Sequence, residues 1–131
     1  MTKVIGIVSL KGGVGKTSIV SSLGAAFAGF GQRVLLIDAN LSAPNLGMHL
    51  NIIDPEVGLH QVLARKISPS DAIYNLGSFD LLPAGLFSET LVDPLKLKDR
   101  IKLLKADYDI VLLDSSPSLN DETLAVLLAA D

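Results

Sequence analysis

The feature that most constrains the fold is a change of character between residues 4 and 30. Val4–Val8 is an apolar run rich in β-branched residues, which predicts a buried strand. Glycines at 12, 13 and 15 follow at once. From Lys16 onward, Ile19, Val20, Leu23, Phe27 and Phe30 recur at helical spacing, and Gly29 and Gly31 act as stop signals. Val34–Ile37 is a second apolar run and ends in Asp38. Strand, glycine turn, helix and strand in this order form a βαβ unit.

The turn carries its own chemistry. Lys11-Gly12-Gly13-Val14-Gly15-Lys16-Thr17-Ser18 leaves a strand and opens a helix. Glycines let the backbone turn tightly and aim successive N–H groups at an anion. The helix start adds partial positive charge. In such a loop Lys16 bridges the β- and γ-phosphates of a nucleotide, and Thr17 gives its hydroxyl to magnesium. Six specified residues at ordinary usage coincide by chance on the order of 10⁻⁷ times per start position. An incidental glycine turn is therefore the weaker explanation.

The remaining pattern extends the first unit. Residues 39–57 read as loop, with Pro44, Asn45, Gly47 and Pro55 as punctuation. Helices are expected at Leu59–Ala64, from Ser68 with Pro69 in its first turn, from Asp93-Pro94 to about Lys105, and over Glu122–Ala130. Strands are expected at Phe79–Leu82 and at Ile110–Leu113, the latter ending in Asp114. Strands alternating with helices predict a mainly parallel α/β sheet with helices on both faces. Ligands of such sheets bind beyond the carboxyl ends of the strands. Polar clusters at 11–18, 38–40 and 114–116 should meet there. Asp38 and Asp114 each end an apolar strand, where a buried carboxylate is costly without a cation. The plainer reading of each is a turn-capping residue.

Composition narrows the classes. The 131 residues suggest a single domain and are 49% hydrophobic and 19% charged, which suits strands apolar on both sides. No apolar run approaches the roughly 18 residues needed to span a bilayer. The run at residues 4–10 lacks a small-residue cleavage site, so a signal peptide is not expected. There are no cysteines, which removes disulfides and thiolate metal sites and fits a reducing cytoplasm. A net charge of −3 disfavours nucleic acid as the main partner. Lys96, Lys98, Arg100, Lys102 and Lys105 form a local exception, read first as a solvated helix face and second as a patch for DNA or anionic lipid. His49 and His60 have no third nitrogen or thiolate ligand to join them, so they are read as packed or surface residues. Leu124–Ala130 is read as core.

The loop departs from the usual P-loop pattern. Leu10 stands where a glycine is usual, and Lys11 follows it. This variant resembles the deviant Walker A motif of the MinD/ParA family of P-loop ATPases. The resemblance continues through Val34–Asn40 and through Tyr108-Asp109-Ile110-Val111-Leu112-Leu113-Asp114-Ser115-Ser116-Pro117. Ala43-Pro44-Asn45-Leu46-Gly47 and Leu82-Pro83-Ala84-Gly85 look most like archaeal MinD-like members. The resemblance implies a P-loop NTPase fold, with residues 1–131 as the N-terminal part of one ATPase domain. It implies ATP and Mg²⁺ as cofactors, held by residues Lys11, Gly12, Gly13, Val14, Gly15, Lys16, Thr17 and Ser18. Lys16 resembles the in-cis phosphate lysine, and Lys11 the signature lysine that reaches a dimer partner's nucleotide. Thr17 resembles the direct magnesium ligand. Asp38 matches the switch aspartate that orients the attacking water near the metal, and Asp114 the Walker B aspartate that holds magnesium through water. Lys11, Lys16 and Asp38 are thus the implied catalytic residues, and Thr17, Asp38 and Asp114 the implied metal set. Bacterial MinD proteins usually carry Asp where this chain has Asn40. An amide cannot take a proton from water, so slower or differently regulated turnover is expected if that second carboxylate assists.

The implied activity is ATP hydrolysis by an ATP-dependent homodimer that positions something in cell division or partitioning. Implied partners are ATP and ADP, a second copy of the chain and an activator protein. The implied location is the cytoplasm, with peripheral attachment to the inner membrane face in a longer protein. Other readings are an iron–sulfur scaffold or metabolic P-loop ATPase, and a nucleotide-binding module without significant hydrolysis. In the family's strand order, the first strand would be an exposed edge in this chain. Association through that edge, or poor solubility, is the corresponding expectation.

Overall fold

A computed structural model of the chain describes residues 2–8, 16–40, 46, 50, 58–64, 67–84, 93–115 and 121–131. The strands are β1 (Lys3–Ile7), β2 (Val34–Asp38), β3 (Tyr74–Asn75), β4 (Asp80–Leu82) and β5 (Ile110–Asp114). The α-helices are α1 (Lys16–Gly29), α2 (Leu59–Leu63), α3 (Leu97–Lys102) and α4 (Asp121–Ala129). The sheet order is β1-β5-β2-β4-β3. Every pairing is parallel except the β3–β4 hairpin.

Alternation along the strands sorts the core into two layers. Val34 and Leu36 of β2 and Ile110 and Leu112 of β5 pack with Val20 of α1. Leu35 and Ile37, with Val111 and Leu113, pack on the other face with α2, α3 and α4. β2 and β5 are buried throughout, because helices cover both of their faces. β1 lies at one edge of the sheet among the described residues. At Val4 its outer side is already occupied. The Asp131 amide donates to the Val4 carbonyl at 2.8 Å, and the Val4 amide donates to the Asp131 carboxylate at 2.7 Å.

Helix α1 approaches β2 closely. A Cβ on Gly24 would lie 2.8 Å from Leu36 Cδ2. Alanine at a helix position gains about 1 kcal/mol over glycine, which offsets a small overlap. A β-branched residue adds far more volume to a fully buried contact. Gly24→Val is therefore expected to lower stability by about 1–3 kcal/mol, read as a fall in the denaturant midpoint at unchanged slope.

Several expectations change. Ile19 and Phe30 are 52% and 83% exposed. Ile19 points away from the face shared by Val20 and Gly24, and Phe30 lies past the helix end. In α4 the core contacts come from Thr123, Ala125, Val126 and Ala129, whereas Leu124, Leu127 and Leu128 are exposed. Small residues let α4 sit close to β1, where a Cβ on Gly6 would meet Val126 Cγ1 at 2.7 Å. The helix expected from Ser68 is one 3₁₀ turn, Pro69–Ala72, followed by β3. Gly77, at φ +95°, lets the chain reverse there, and its amide donates to Asn75 Oδ1 at 2.8 Å. The helix expected from Asp93 to Lys105 is divided into a 3₁₀ turn at Pro94–Lys96, α3, and a second 3₁₀ turn at Lys105–Asp107. Leu97, Ile101 and Leu104 are its buried stripe, and Lys96, Lys98 and Lys102 are exposed, as both readings of that basic stretch require. Most of the loop read at 39–57 lies outside the described residues.

Candidate functional site

The carboxyl edge of the sheet gathers the polar strand ends. Asp114 stands in register with Ile7 on one side and with Asp38 on the other. Residues in register on neighbouring parallel strands share a face. Asp38 continues the alternation of Val34 and Leu36, and Asp114 that of Ile110 and Leu112, so both carboxylates fall on the α1 side of the sheet. Helix α1 packs over β2 and β5 there. It begins at Lys16, on the chain that has just left β1, so its N-terminal end belongs to the same edge.

Both aspartates are buried, at 0% exposure for Asp38 and 1% for Asp114. Asp38 Oδ1 accepts the Asn40 amide at 3.1 Å, and Oδ2 accepts the Leu46 amide at 3.2 Å. The turn-capping role weighed for Asp38 is therefore present. The strand ends are also tied laterally. The Ala39 amide donates to the Asp114 carbonyl at 2.9 Å. The Ser115 amide and hydroxyl donate to the Ile7 carbonyl at 3.3 and 2.6 Å. Asn40 and Ser115 are buried with them. Sequence reasoning gave Asn40 a place in the site but treated Ser115 only as part of a motif and a turn. Its long-range bond leaves no local pattern.

Lys11, Gly12, Gly13, Val14 and Gly15 lie outside the described residues, as does His49. Lys16, Thr17 and Ser18 form the first turn of α1. His60 is buried in α2, with its backbone amide bound to the Ala84 carbonyl at 2.8 Å. No cluster of three or more His, Cys, Asp or Glu suited to a metal occurs among the described residues. Asp38 and Asp114 instead set two buried carboxylates side by side at the edge where α1 begins. That donor chemistry fits a hard divalent cation carried by a phosphate, since Mg²⁺ takes one or two carboxylates and leaves its other positions to water and phosphate. Among the described residues no helix is long and apolar enough to cross a membrane.

At the opposite, amino edge, the Arg33 side chain donates to both oxygens of Asp109, at 3.4 and 3.2 Å. That hydrogen bonding, above all, holds the Asp109 carboxyl below its ordinary range. The Tyr108 hydroxyl donates to Asp80 at 2.7 Å. Burial first, and that bond second, push its pKa well above the usual phenol value. Both pairs brace the strand starts at the edge opposite Asp38 and Asp114.

A family model described as an AAA domain matches residues 2–131. The chain is 37% identical over 134 residues to an uncharacterised ATP-binding protein of Methanocaldococcus jannaschii, covering 98% of this chain and 50% of that protein. It is 36% identical over 120 residues to the septum site-determining protein MinD of Thermotoga maritima, covering 88% of this chain and 44% of that one. The structure of MinD from Pyrococcus horikoshii complexed with Mg-ADP superposes with a TM-score of 0.89 at 36% identity, over 99% of this chain and 55% of that one. Cobyrinic acid a,c-diamide synthase of Mycobacterium smegmatis, with a bound ATP analog and magnesium, gives a TM-score of 0.87 at 34% identity, over 99% and 57% of the two chains. The chain thus spans about half the length of the curated relatives it matches.

Proposed function

The chain belongs to the MinD/ParA family of P-loop ATPases, and from that premise we propose that it binds and hydrolyses Mg-ATP as an ATP-dependent homodimeric switch. The observation that carries the proposal is the in-register pair Asp38 and Asp114, buried on the α1 face beside the helix that Lys16 and Thr17 open. In this reading residues 11–18 cradle the phosphates. Lys16 neutralises the β- and γ-phosphates, and Lys11 does the same across a dimer interface, much as an arginine finger would. Thr17 and Asp114 would hold the magnesium, which would supply charge neutralisation at the phosphates. Asp38 orients the attacking water and approaches the metal shell. The loops read at 38–47 and 114–120 act as switches that sense the γ-phosphate; in support, the Asn40 and Leu46 amides both donate to Asp38. The process served is positioning in cell division or partitioning, in the cytoplasm and at the inner face of the membrane.

A test uses the intact natural protein. Sedimentation with Mg-ATP is expected to show a dimer and with Mg-ADP a monomer, with slow phosphate release in the first case alone. A monomer under both conditions would remove the switch. The likeness to the diamide synthase favours a second reading, a metabolic P-loop ATPase. Phosphate release that needs a small-molecule co-substrate, and not dimer formation, would select it.

A further inference from the structure

Ser115 follows Asp114 directly and is fully buried. A serine serving only a local turn bonds its hydroxyl to a near neighbour. This hydroxyl instead donates to the carbonyl of Ile7, 108 residues away in the chain, at 2.6 Å. Ile7 is the last residue of β1, and the glycine loop begins four positions later at Lys11. The ladder bond to the same carbonyl, from the Ser115 amide, is long at 3.3 Å, beyond the usual span of about 2.7–3.2 Å for N–H···O contacts. The hydroxyl is therefore the stronger tie between the ends of β1 and β5.

We propose that Ser115 is a positioning residue for nucleotide: its hydroxyl fixes the strand that launches the phosphate loop against the strand that ends in Asp114. The proposal rests on the Mg-ATP reading above. One group on the phosphate side and one on the metal side must meet the same ligand, and errors of about 1 Å in such placement cost up to 10²-fold. A tie located between the two strands sets that spacing directly. The effect should appear only when both sides are in use, that is, when magnesium joins the phosphates to Asp114.

The experiment measures ATP affinity of the intact protein, with magnesium and with EDTA, for wild type, Ser115→Ala and Ser115→Thr. Ser115→Ala only removes an atom, and its fold is checked by nucleotide-free thermal melting. Mg-ATP affinity of the alanine variant is expected to fall about fivefold to tenfold, the equivalent of one hydrogen bond. ATP affinity in EDTA is expected to match wild type, and Ser115→Thr, which keeps the hydroxyl, to restore most of the loss. Equal losses with and without magnesium would reduce Ser115 to a general structural role and overturn the proposal, as would no loss at all. Wild-type protein that fails to bind Mg-ATP would overturn the nucleotide reading itself. Wild-type binding with an unaffected alanine variant overturns only the assignment of Ser115.

Discussion

Replacing Lys16 with alanine is expected to weaken Mg-ATP binding by two orders of magnitude or more. Lys16 stands at the first position of α1, where the helix start already favours an anion. Its ammonium would make charge-assisted bonds to two phosphates. At about 1.5–3 kcal/mol for each such bond, the loss is about 3–6 kcal/mol, or on the order of 10²–10⁴ in affinity. The helix itself should persist, since alanine is the better helix former. Calorimetric titration of a variant whose far-ultraviolet dichroism matches wild type is the check. Retained affinity would mean that the phosphates sit elsewhere.

The second large effect falls on turnover and spares binding. Asp38→Ala is expected to keep Mg-ATP affinity within a few-fold while phosphate release drops about 10²-fold, the lower end of what a positioned acid–base or water-orienting group contributes. The structure adds a complication that the variant must resolve. Asp38 also accepts the amides of Asn40 and Leu46, so alanine both removes the carboxylate and frees those two amides. Asp38→Asn separates the two. It keeps an acceptor for one amide and lacks the negative charge. Stalled hydrolysis in both variants points to the carboxylate; stalling in alanine alone points to the bonds to Asn40 and Leu46. Rapid turnover in both would contradict the assigned role.

The local rules found what is written locally. Residue periodicity located four of the strands and the first helix, because buried parallel strands are continuous apolar runs and α1 has a long repeat. The same rules placed Asp38 and Asp114 at strand ends, and the register then set them side by side. What escaped was decided by contacts between distant residues. Leucines 124, 127 and 128 look like a core stripe, yet α4 turns Val126 toward Gly6 because glycine there allows the closer approach. The β3 strand is only Tyr74–Asn75, too short for a periodic signal, although Asn75 and Gly77 carried turn chemistry that could have revealed the hairpin. Ser115 was visible as a letter in a motif. Its bond to Ile7 exists only once β1 and β5 are neighbours.

Binding of Mg-ATP at this edge of the sheet is the property on which every assigned role depends. The most direct measurement is a calorimetric titration of the intact protein with Mg-ATP, run at several temperatures so that a vanishing enthalpy at one of them cannot hide binding. A saturable isotherm with one site per chain, abolished by Lys16→Ala, is the expected result. Folded wild-type protein that gives no saturable heat at any temperature would contradict it.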